Sequence, residues 1–387
     1  MNPLGIGVVG AGVISQRAIL PHLTQHDVAD RVRPVAVCDP VPGRAEMTAD
    51  HFGLASAYAS IEGMLNDPAV EAVTIASPIG LHFEHARLAI EAGRHVHSNK
   101  TLATTVEETD LIIARAAEKQ VRVVASPGEV LRPQVTRTRQ LIADGAIGRL
   151  VWGVCGVSLG TYHEEEAERD SAPGGTPINP SWYFKRPGGG PLYDGGVYAL
   201  HQLTSVLGPA HRVTAMSGMV FPTREFMGEQ ISSEMDDNTL MLLDFGNGAL
   251  VVVYATAAGD LGGDFGAGTF FGTEGVIRGL NLNGEPFDFE GRTETLSAPT
   301  TDWEVQMRVL PHVVGPHREI PEAHVFEDIM QLVRWVRDGT PSAATAEHAR
   351  HVIEIIEAAY RSAESGQTQT IETTFQFPPI SDGPKTN

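Results

Sequence analysis

Three side chains that can take up, release or orient a proton lie at helical spacing near the middle of the chain: Asp194, Tyr198 and His201. Offsets of four and seven residues bring side chains onto one stripe of an α-helix. The segment that carries them contains no Lys, Arg or Glu. Its opposite side carries apolar residues that can pack: Val197, Leu200, Leu203 and Leu207. We interpret the polar stripe as an acid–base site, and a solvated helix face is the plain alternative.

A lysine suited to the same chemistry follows the short β-type run RHVHS, in the triplet Asn99-Lys100-Thr101. Ligands of open parallel sheets bind beyond the carboxyl ends of the strands. We therefore expect Lys100 to face a cofactor, donate to a substrate hydroxyl or carbonyl, and stabilise charge that develops on oxygen. An ordinary surface lysine is the alternative.

A glycine-rich turn follows the first β-type run, GIGVV, and reads GAGVIS over residues 10–15. Gly10 permits a tight turn, and Gly12 lets backbone amides approach a pyrophosphate at the start of the next helix. Ser15 stands where this pattern usually has Gly or Ala. We assign four residues of the turn to a dinucleotide site: Gly10, Gly12, Val13 and Ile14.

The second β-type run ends in VAVCDP, so that Asp39 can bind the ribose hydroxyls of an adenosine and repel a 2′-phosphate. We therefore predict NAD as the cofactor and regard NADP as less favoured, although Arg44 can partly compensate if its loop folds back. The alternative is that the glycines only make a turn and Asp39 only caps a helix, with no ligand bound. The order of strand, glycine turn, helix and acidic residue argues against this alternative.

The elements that must position these residues alternate in the first third of the chain. β-type runs and helical segments follow one another, with helices expected from about Ser15, from about Gly43, through HFEHARLAIEAG and through TVEETDLIIARAAEK. Thr105 and Glu108 fit a capping box at the last of these helices. Five such strands predict an α/β Rossmann domain with a doubly wound parallel sheet.

The rhythm changes near Pro127, where we place the boundary between domains 1–127 and 128–387. One helix, about 133–143, and an irregular stretch rich in Gly and Pro, 161–190, follow. Five β-type runs then succeed one another: LVWGVCGV, HRVTAMSG, DNTLMLLDF, ALVVVYATA and GTFFGTEGVIRG. They predict an α+β domain with a large, mostly antiparallel open sheet, closed by helices at about 323–337 and 346–363.

Composition excludes several classes of protein. The 387 residues exceed the usual size of a single core, and 28 Lys plus Arg against 48 Asp plus Glu give a net charge of −20. Such a charge repels nucleic acids and anionic membrane surfaces. The apolar runs are too short to span a bilayer, and the N-terminus lacks the basic region of a signal peptide. With only Cys38 and Cys155, we expect a cytoplasmic protein without disulfides.

Fifteen histidines raise the question of a metal, above all at His95 and His97, which share one face of a strand. Zinc sites need three or four convergent ligands, and the other histidines are scattered along the sequence. We predict no bound metal.

The chain resembles the glucose-fructose oxidoreductase, inositol dehydrogenase and MocA family over nearly its full length. The blocks that carry the resemblance include VVGAGVIS, AVTIASPIGLHFEHARLAIEAGRHVHSNKT and GGGPLYDGGVYALHQLTSVLG. It implies that Lys100 is catalytic, although the family triplet is Glu-Lys-Pro and not Asn-Lys-Thr. It also implies roles for Asp194 and for Tyr198, which stands where inositol dehydrogenases have histidine, and for His201 three residues further on.

The resemblance implies an NAD-dependent oxidoreductase that moves a hydride between nicotinamide and a secondary alcohol of a sugar, glycoside or polyol, including carbon 3 of a glucose-type ring. We expect His201 to take the proton, because imidazole titrates near neutrality, with Tyr198 as the alternative. Lys100 is expected to lower the pKa of the Tyr198 phenol, and Asp194 to orient the base.

Further contacts are expected around this site. The resemblance adds Ser77, Pro78 and His82 to the cofactor site. For a carbohydrate substrate we add Lys100, Asp194 and His201 together with five aromatic or cationic residues, and His324 from a late helix. Those five residues are Arg132, Tyr162, Trp182, Tyr183 and Lys185.

Three alternatives and an assembly state complete the expectations. The chain could reduce a keto-sugar, hold NAD(P) permanently while it exchanges two sugars, or sense sugars and dinucleotides without catalysis. Family members commonly pair through the open sheet, so we expect a homodimer or homotetramer.

Overall fold

A computed structural model of the chain describes residues 2–160, 162–164, 178–259, 268–293 and 309–377. Its first sheet has six parallel strands in the order β3-β2-β1-β4-β5-β6. They are β1 (Leu4–Val9), β2 (Val32–Cys38), β3 (Ser56–Tyr58), β4 (Ala72–Ile75), β5 (His95–Ser98) and β6 (Val123–Ala125). The five predicted strands are confirmed, and β3 is an additional edge strand.

The helices of this half cover both faces of the first sheet. They are α1 (Leu20–Leu23), which continues a π-helical turn at Ser15–Ile19, α2 (Arg44–Phe52), α3 (Ile61–Leu65), α4 (His82–Glu91) and α5 (Val106–Lys119). Side chains alternate between the faces of a strand, so β1 sends Ile6 and Val8 into one apolar layer and Val9 into the other. The predicted doubly wound α/β fold is therefore confirmed.

The second half is built on a mixed sheet of nine strands in the order β16-β15-β14-β13-β7-β12-β11-β8-β17. The strands are β7 (Leu150–Ser158), β8 (Arg212–Gly218), β11 (Asn238–Asp244), β12 (Leu250–Thr256), β13 (Thr269–Gly272), β14 (Val276–Arg278), β15 (Asn281–Leu282), β16 (Glu285–Pro286) and β17 (Gln369–Thr370). Only β7 and β12 pair in parallel. A separate hairpin joins β9 (Thr223–Phe226) to β10 (Glu229–Ser232).

Two helices, α6 (Pro133–Ala143) and α7 (Val197–Leu207), contribute to the apolar layer on the inner face of this sheet. Leu200 and Leu203 of α7 are buried there with Val157 of β7 and Val253 of β12. The other side of α7 is also buried, including Tyr198 and His201. A solvated face on this helix is therefore excluded.

The last two helices, α8 (Ala323–Asp338) and α9 (Ala346–Ser365), serve both halves. The expectation that both close on the second domain is wrong for α8, whose Phe326 and Ile329 are buried with Leu4 and Ile6 against the first sheet. Helix α9 buries Ile353 with the first half and Ile356 with the second. The late chain thus completes the core of the early chain.

Candidate active site

The glycine turn after β1 leaves room for a ligand. Gly10 has a φ of +93°, and a Cβ there would meet the Ala76 carbonyl oxygen at 2.9 Å, so only glycine fits. A Cβ at Gly12 would meet nothing within 4 Å. Ser15, the departure from the usual pattern, donates from Oγ to the Gly10 carbonyl at 2.5 Å and closes the turn. The residues present fit a dinucleotide pyrophosphate.

Asp39 lies at the carboxyl end of β2, beside the glycine turn. Its carboxylate accepts hydrogen bonds from the amides of Ala11 and Val41, both at 2.9 Å, and Arg44 Nη1 lies 3.5 Å from Oδ1. Val13 and Ile14 are half-buried where the first helical turn begins. The predicted cofactor residues of β1 and β2 are thus brought together in one corner.

His82, the first residue of α4, connects two loops at the edge of the sheet. Its Nδ1 lies 2.6 Å from the carbonyl oxygen of Thr101, and its Nε2 lies 2.7 Å from that of Ser77. Burial lowers the pKa of His82 to about 4, so the ring is neutral near pH 7 and donates to one carbonyl at a time. Both nitrogens face the backbone, which makes His82 a positioning residue for the Lys100 loop. Pro78 is half-buried beside it.

Lys100 and Asp194 form a buried ion pair between the two halves of the chain. Lys100 Nζ donates to Asp194 Oδ1 at 2.5 Å and to the Asp194 carbonyl at 2.7 Å. Burial opposes the charge of Lys100, but the Asp194 carboxylate outweighs it and raises the lysine pKa. Burial likewise opposes the charge of Asp194, but Lys100 and His163 hold the Asp194 pKa well below its usual range. His163 Nε2 lies 3.1 Å from Asp194 Oδ2.

Tyr198 lies beside this pair. Lys100 Nζ is 5.3 Å from the centre of the phenol ring, and the Tyr198 hydroxyl lies 2.9 Å from His324 Nε2. The expected lowering of its pKa by Lys100 is not found: burial, together with the negative charges of Glu322 and Asp194, raises the pKa of Tyr198 well above its ordinary value. Lys100 is already paired with Asp194, so its charge does not act on the phenol alone.

His201 faces a different part of the molecule. Its ring lies 4.6 Å from that of His348 in α9, and burial lowers its pKa to about 3. Its Nδ1 has no hydrogen-bond partner among the described residues. Three residues turn an α-helix by about 300°, so Tyr198 and His201 point about 60° apart, and the π-helical turn Leu192–Gly196 shifts Asp194 further. The single stripe expected from the sequence is therefore divided.

The aromatic residues ahead of α7 lie partly at this site. Tyr183 packs its ring 4.0 Å from that of His163 and 3.7 Å from that of Trp182, which is half-buried against the second core. Lys185 instead pairs with Glu234 at 3.1 Å on the surface. The side chain of Tyr162 lies outside the described residues.

A further buried group borders Tyr198 and includes two residues that the sequence did not single out. Arg132, a predicted substrate residue, pairs with Glu129, and burial raises the pKa of Glu129 to about 7. His324 Nδ1 lies 3.5 Å from a carboxylate oxygen of Glu322. Spacing gave no signal for Glu129 or Glu322, because Glu129 reaches the site through the contact of its short helical turn with α7, and Glu322 through its position just ahead of α8.

In the described part of the chain, no three metal-ligating side chains converge, and His97 instead bonds to the hydroxyls of Thr74 and Ser126 at 2.7 and 3.0 Å. None of the helices described is long and apolar enough to cross a membrane.

A parallel sheet whose glycine turn is open for a dinucleotide, with a lysine at its edge against a second domain, is typical of a nicotinamide-dependent oxidoreductase. Two family profiles agree: the profile of the oxidoreductase family with NAD-binding Rossmann fold matches residues 4–126, and that of the GFO/IDH/MocA C-terminal domain matches residues 135–278. The chain belongs to the Gfo/Idh/MocA family of oxidoreductases.

Three relatives illustrate the family. The chain is 24% identical to the NADP-dependent scyllo-inositol 2-dehydrogenase IolW of Bacillus subtilis, over 96% of this chain and 97% of the relative. It is 26% identical to levoglucosan dehydrogenase of Pseudarthrobacter phenanthrenivorans, over 78% of each chain. It is 26% identical to D-glucoside 3-dehydrogenase of Escherichia coli, over 65% of this chain and 69% of the relative.

Solved structures show the same fold. An oxidoreductase of Thermotoga maritima matches with a TM-score of 0.74 at 20% identity, over 96% of this chain and 99% of its own. A levoglucosan dehydrogenase in complex with NADH and levoglucosan matches with a TM-score of 0.72 at 20% identity, over 96% of this chain and 100% of its own.

Proposed function

We propose that the chain is an NAD-dependent dehydrogenase that oxidises a secondary alcohol of an uncharged sugar, glycoside or polyol. The observation that carries the proposal is the contact of Lys100 with Asp194, at 2.5 Å, and with the Tyr198 ring at the edge of the dinucleotide sheet. The names of the three relatives, which act on an inositol, levoglucosan and D-glucosides, support this substrate class. The last of them supports oxidation at carbon 3 of a glucose-type ring.

The charges around Tyr198 and His324 support an uncharged substrate. Among the described residues, two cations and three carboxylates act on these two side chains: Lys100, Arg132, Asp194, Glu129 and Glu322. A site for a sugar phosphate or a sugar acid needs an excess of cations. Glu129 and Arg132 pair with each other, and the polar atoms of this pair can also bind sugar hydroxyls.

Tyr198, and not His201, is the proton-transferring residue of this proposal. Tyr198 adjoins Lys100, whereas His201 packs against His348. Lys100 donates to the oxygen of the substrate as negative charge grows there, and Asp194 holds the lysine in place. A bound nicotinamide would supply the hydride acceptor, held by Gly10, Gly12 and Asp39. A role for His201 in the reaction stays an untested prediction without support from its contacts.

The preference for NAD over NADP is part of the proposal. A carboxylate at Asp39 binds ribose hydroxyls and repels a 2′-phosphate, while Arg44, 3.5 Å away, is already paired with it. Since IolW uses NADP, family membership alone does not decide this point.

The test is a panel of polyols, free sugars and glycosides assayed for reduction of NAD and, in parallel, of NADP. We expect NAD reduction with at least one member, and a loss of about 10³-fold in Lys100→Met, since electrostatic stabilisation at oxygen has this magnitude. Lys119→Met, an exposed lysine paired with Glu91, is the matched control and should retain activity.

The remaining alternatives give different results in that panel. Turnover of ketoses with NADH alone would favour a reductase, and a cofactor that survives gel filtration would favour permanent binding and sugar exchange. Sugar and dinucleotide binding without any turnover in either direction would contradict the dehydrogenase and favour a sensor.

We also propose that a second copy of the chain covers the outer face of the nine-stranded sheet, giving a homodimer or homotetramer. Met216, Leu240 and Leu242 are 81%, 50% and 41% exposed, and Leu240 lies opposite Met216 in the β8–β11 register. Contiguous apolar surface of this kind marks an interface. Light scattering should give a multiple of 41.5 kDa, and Leu242→Lys should lower it. A monomer in the wild type would contradict the proposal.

Domains and compartment complete the proposal. Residues 1–127 would bind the dinucleotide and residues 128–387 the substrate and the second copy, in line with profile matches at 4–126 and 135–278. Cys38 and Cys155 are buried and form no disulfide, which favours the reducing cytoplasm. Subcellular fractionation tests the compartment.

A further inference from the structure

The oxidation of an alcohol in a buried site releases a proton that needs an outlet. Tyr198 has a relative exposure of 8% and His324 of 3%, so neither exchanges freely with bulk water. The hydroxyl of Tyr198 is 2.9 Å from His324 Nε2, which is hydrogen-bond distance. The ring of His324 therefore lies directly behind the proposed proton-transferring residue.

The other nitrogen of His324 points to a carboxylate. Nδ1 is buried and has no hydrogen-bond partner among the described residues, and Glu322 Oε2 is 3.5 Å away. This separation is at the limit of hydrogen-bond distance, so proton transfer requires a closer approach of the two side chains. The carboxylate side chain is 15% exposed against 3% for His324, so it lies nearer to solvent. The three side chains thus form a line from the site towards water.

The backbone holds Glu322 in an uncommon conformation. Its φ of +57° is in the left-handed region, which a non-glycine residue adopts at a cost of about 1 kcal/mol or more. The preceding residue is held in place, because His22 Nε2 lies 3.1 Å from the carbonyl oxygen of Pro321. Such strained residues cluster where geometry serves function.

The pair of Tyr198 and His324 is neutral at rest. Burial raises the pKa of Tyr198 and lowers that of His324 well below its ordinary value. A neutral phenol then donates to Nε2, which leaves the ring proton on Nδ1, facing Glu322. The charged groups that act on His324 are Lys100 and Arg132, which oppose an imidazolium, and Glu322, which favours one; His22 and His97 also lie near. A lasting imidazolium is thereby disfavoured, whereas a proton in transit is not.

We propose that His324 and Glu322 carry the proton of the reaction from Tyr198 to solvent. The proposal rests on the proposed function. The O–H bond of the substrate breaks and its proton joins Tyr198 Oη, while the proton of Tyr198 passes to His324 Nε2 and that of Nδ1 passes to Glu322. The electron pair of the O–H bond forms the C=O bond as the C–H bond at that carbon breaks, and a bound, oxidised nicotinamide would accept the hydrogen with its electron pair. His324 and Glu322 are positioning residues that act through Tyr198.

The first test measures kcat with a sugar that the panel identifies. His324→Ala should lower kcat by about 100-fold, the usual scale of proton-transfer catalysis. Added imidazole should raise the kcat of His324→Ala at least tenfold, a rescue that repair of packing alone would not give. Glu322→Gln should lower kcat less, and Glu322→Asp should recover part of that loss. His312→Ala, from the same segment and 27% exposed at its side chain, should behave as the wild type.

The second test needs no turnover. In the ligand-free protein, ¹⁵N resonances of the His324 ring should show Nδ1 protonated and Nε2 as an acceptor, and Tyr198→Phe should shift Nε2 selectively. A proton on Nε2 would overturn the proposal, as would a folded His324→Ala with kcat within threefold of the wild type or without imidazole rescue. If His324→Ala fails to fold, the kcat of Glu322→Gln and the ¹⁵N resonances of His324 test the proposal instead. Absence of turnover in the wild type would contradict the proposed dehydrogenase activity. The ¹⁵N resonances of His324 would still test the proton path through His324 and Glu322.

Discussion

The ion pair of Lys100 and Asp194 places two opposite charges in a nearly dry contact, with side-chain exposures of 16% and 3%. Removing one partner of a buried pair leaves the other uncompensated, typically at a cost of about 3–5 kcal/mol. His163 accounts for the second carboxylate oxygen of Asp194, at 3.1 Å. At the scale of single residues, the pair therefore supports both the geometry of the site and the docking of the two halves.

Two substitutions on α7 separate the candidate proton-transferring residues. Tyr198→Phe removes the hydroxyl that lies 2.9 Å from His324 Nε2 and should lower kcat by 10² to 10⁴. His201→Gln should keep kcat within about threefold, because the His201 ring packs against His348 of α9. Steady-state kinetics on the same sugar checks both. A larger loss of kcat in His201→Gln than in Tyr198→Phe would instead indicate that His201 is the base.

The cofactor preference rests on Asp39. Asp39→Ala should raise KM for NAD by about tenfold or more, since a hydrogen bond to a charged group contributes about 1.5–3 kcal/mol. The KM for NADP should fall, because repulsion of the 2′-phosphate is removed and Arg44, 3.5 Å from the carboxylate, is released. Initial rates with each cofactor measure both effects. Asp50→Ala, an exposed acid of α2, is the control, and an equal change in both KM values would count against this role.

Residue types predicted where much of this candidate site lies, but not how deeply one member is buried. The glycine turn, Asp39, Lys100 and Tyr198 could be proposed from the sequence because their chemistry follows from strand ends and glycine geometry. His201 was preferred as the base because free imidazole titrates near neutrality, yet burial lowers its pKa to about 3. Burial depends on α9, more than 140 residues later, and a local pattern does not contain it.

At the scale of elements, the loops after β4 and β5 act as one unit through His82. Both ring nitrogens face backbone carbonyls, at 2.6 and 2.7 Å, so His82 fixes the position of the residue next to Lys100. Replacement frees the loop without touching the glycine turn. Replacement of His82 should therefore alter the position of the Lys100 loop and leave the glycine turn after β1 unchanged.

His82→Asn should lower kcat by about tenfold and leave the Kd for NAD within about twofold, because misplacement of a reacting group costs rate and not cofactor binding. Fluorescence titration and kinetics on one preparation give both values. His85→Gln, whose ring bonds to the Ser77 hydroxyl at 2.8 Å, is the control. A loss of NAD affinity equal to the loss of kcat would instead make His82 a cofactor residue.

Long, regularly patterned elements were predicted within a few residues, and short ones were missed. Helix α5 begins as its cap predicts: Thr105 Oγ1 accepts from the Glu108 amide at 3.2 Å, although the Glu108 carboxylate bonds to Thr104 and not to Thr105. Strand β3, with the sequence Ser-Ala-Tyr, has no β-branched residue, and β15 to β17 have two residues each. Pairing with neighbouring strands creates such elements, so their own sequence gives little signal.

At the scale of the whole molecule, the buried histidines determine part of the pH dependence of the free energy of unfolding. The folded pKa of His201 is about 3, against about 6.5 in an unfolded chain. Between these values the unfolded state binds one more proton, so the free energy of unfolding falls by about 1.4 kcal/mol per pH unit of acidification. The buried carboxyls of Glu327 and Asp328, with pKa values raised by burial to about 8 and about 7, act in the opposite direction.

A difference measurement isolates the contribution of His201. From pH 6.5 towards pH 4, the wild type should lose stability faster than His201→Gln, by about 1.4 kcal/mol per pH unit. Urea titrations at several pH values give the two slopes. His51→Gln, an exposed histidine on α2, should match the wild-type slope. Parallel slopes for the wild type and His201→Gln would show that this histidine titrates normally in the folded chain.

Helix α8 closes the first sheet although it belongs to the second half of the sequence, with Phe326 and Ile329 in one apolar cluster with Leu4 and Ile6 and with the helix itself against β5 and β6. A chimera that joins the early half of another family member to this late half would therefore inherit a foreign helix in its first core. Recombination between relatives would succeed only where residues 323–338 travel with their own first sheet, so the unit of exchange within this fold is discontinuous along the gene.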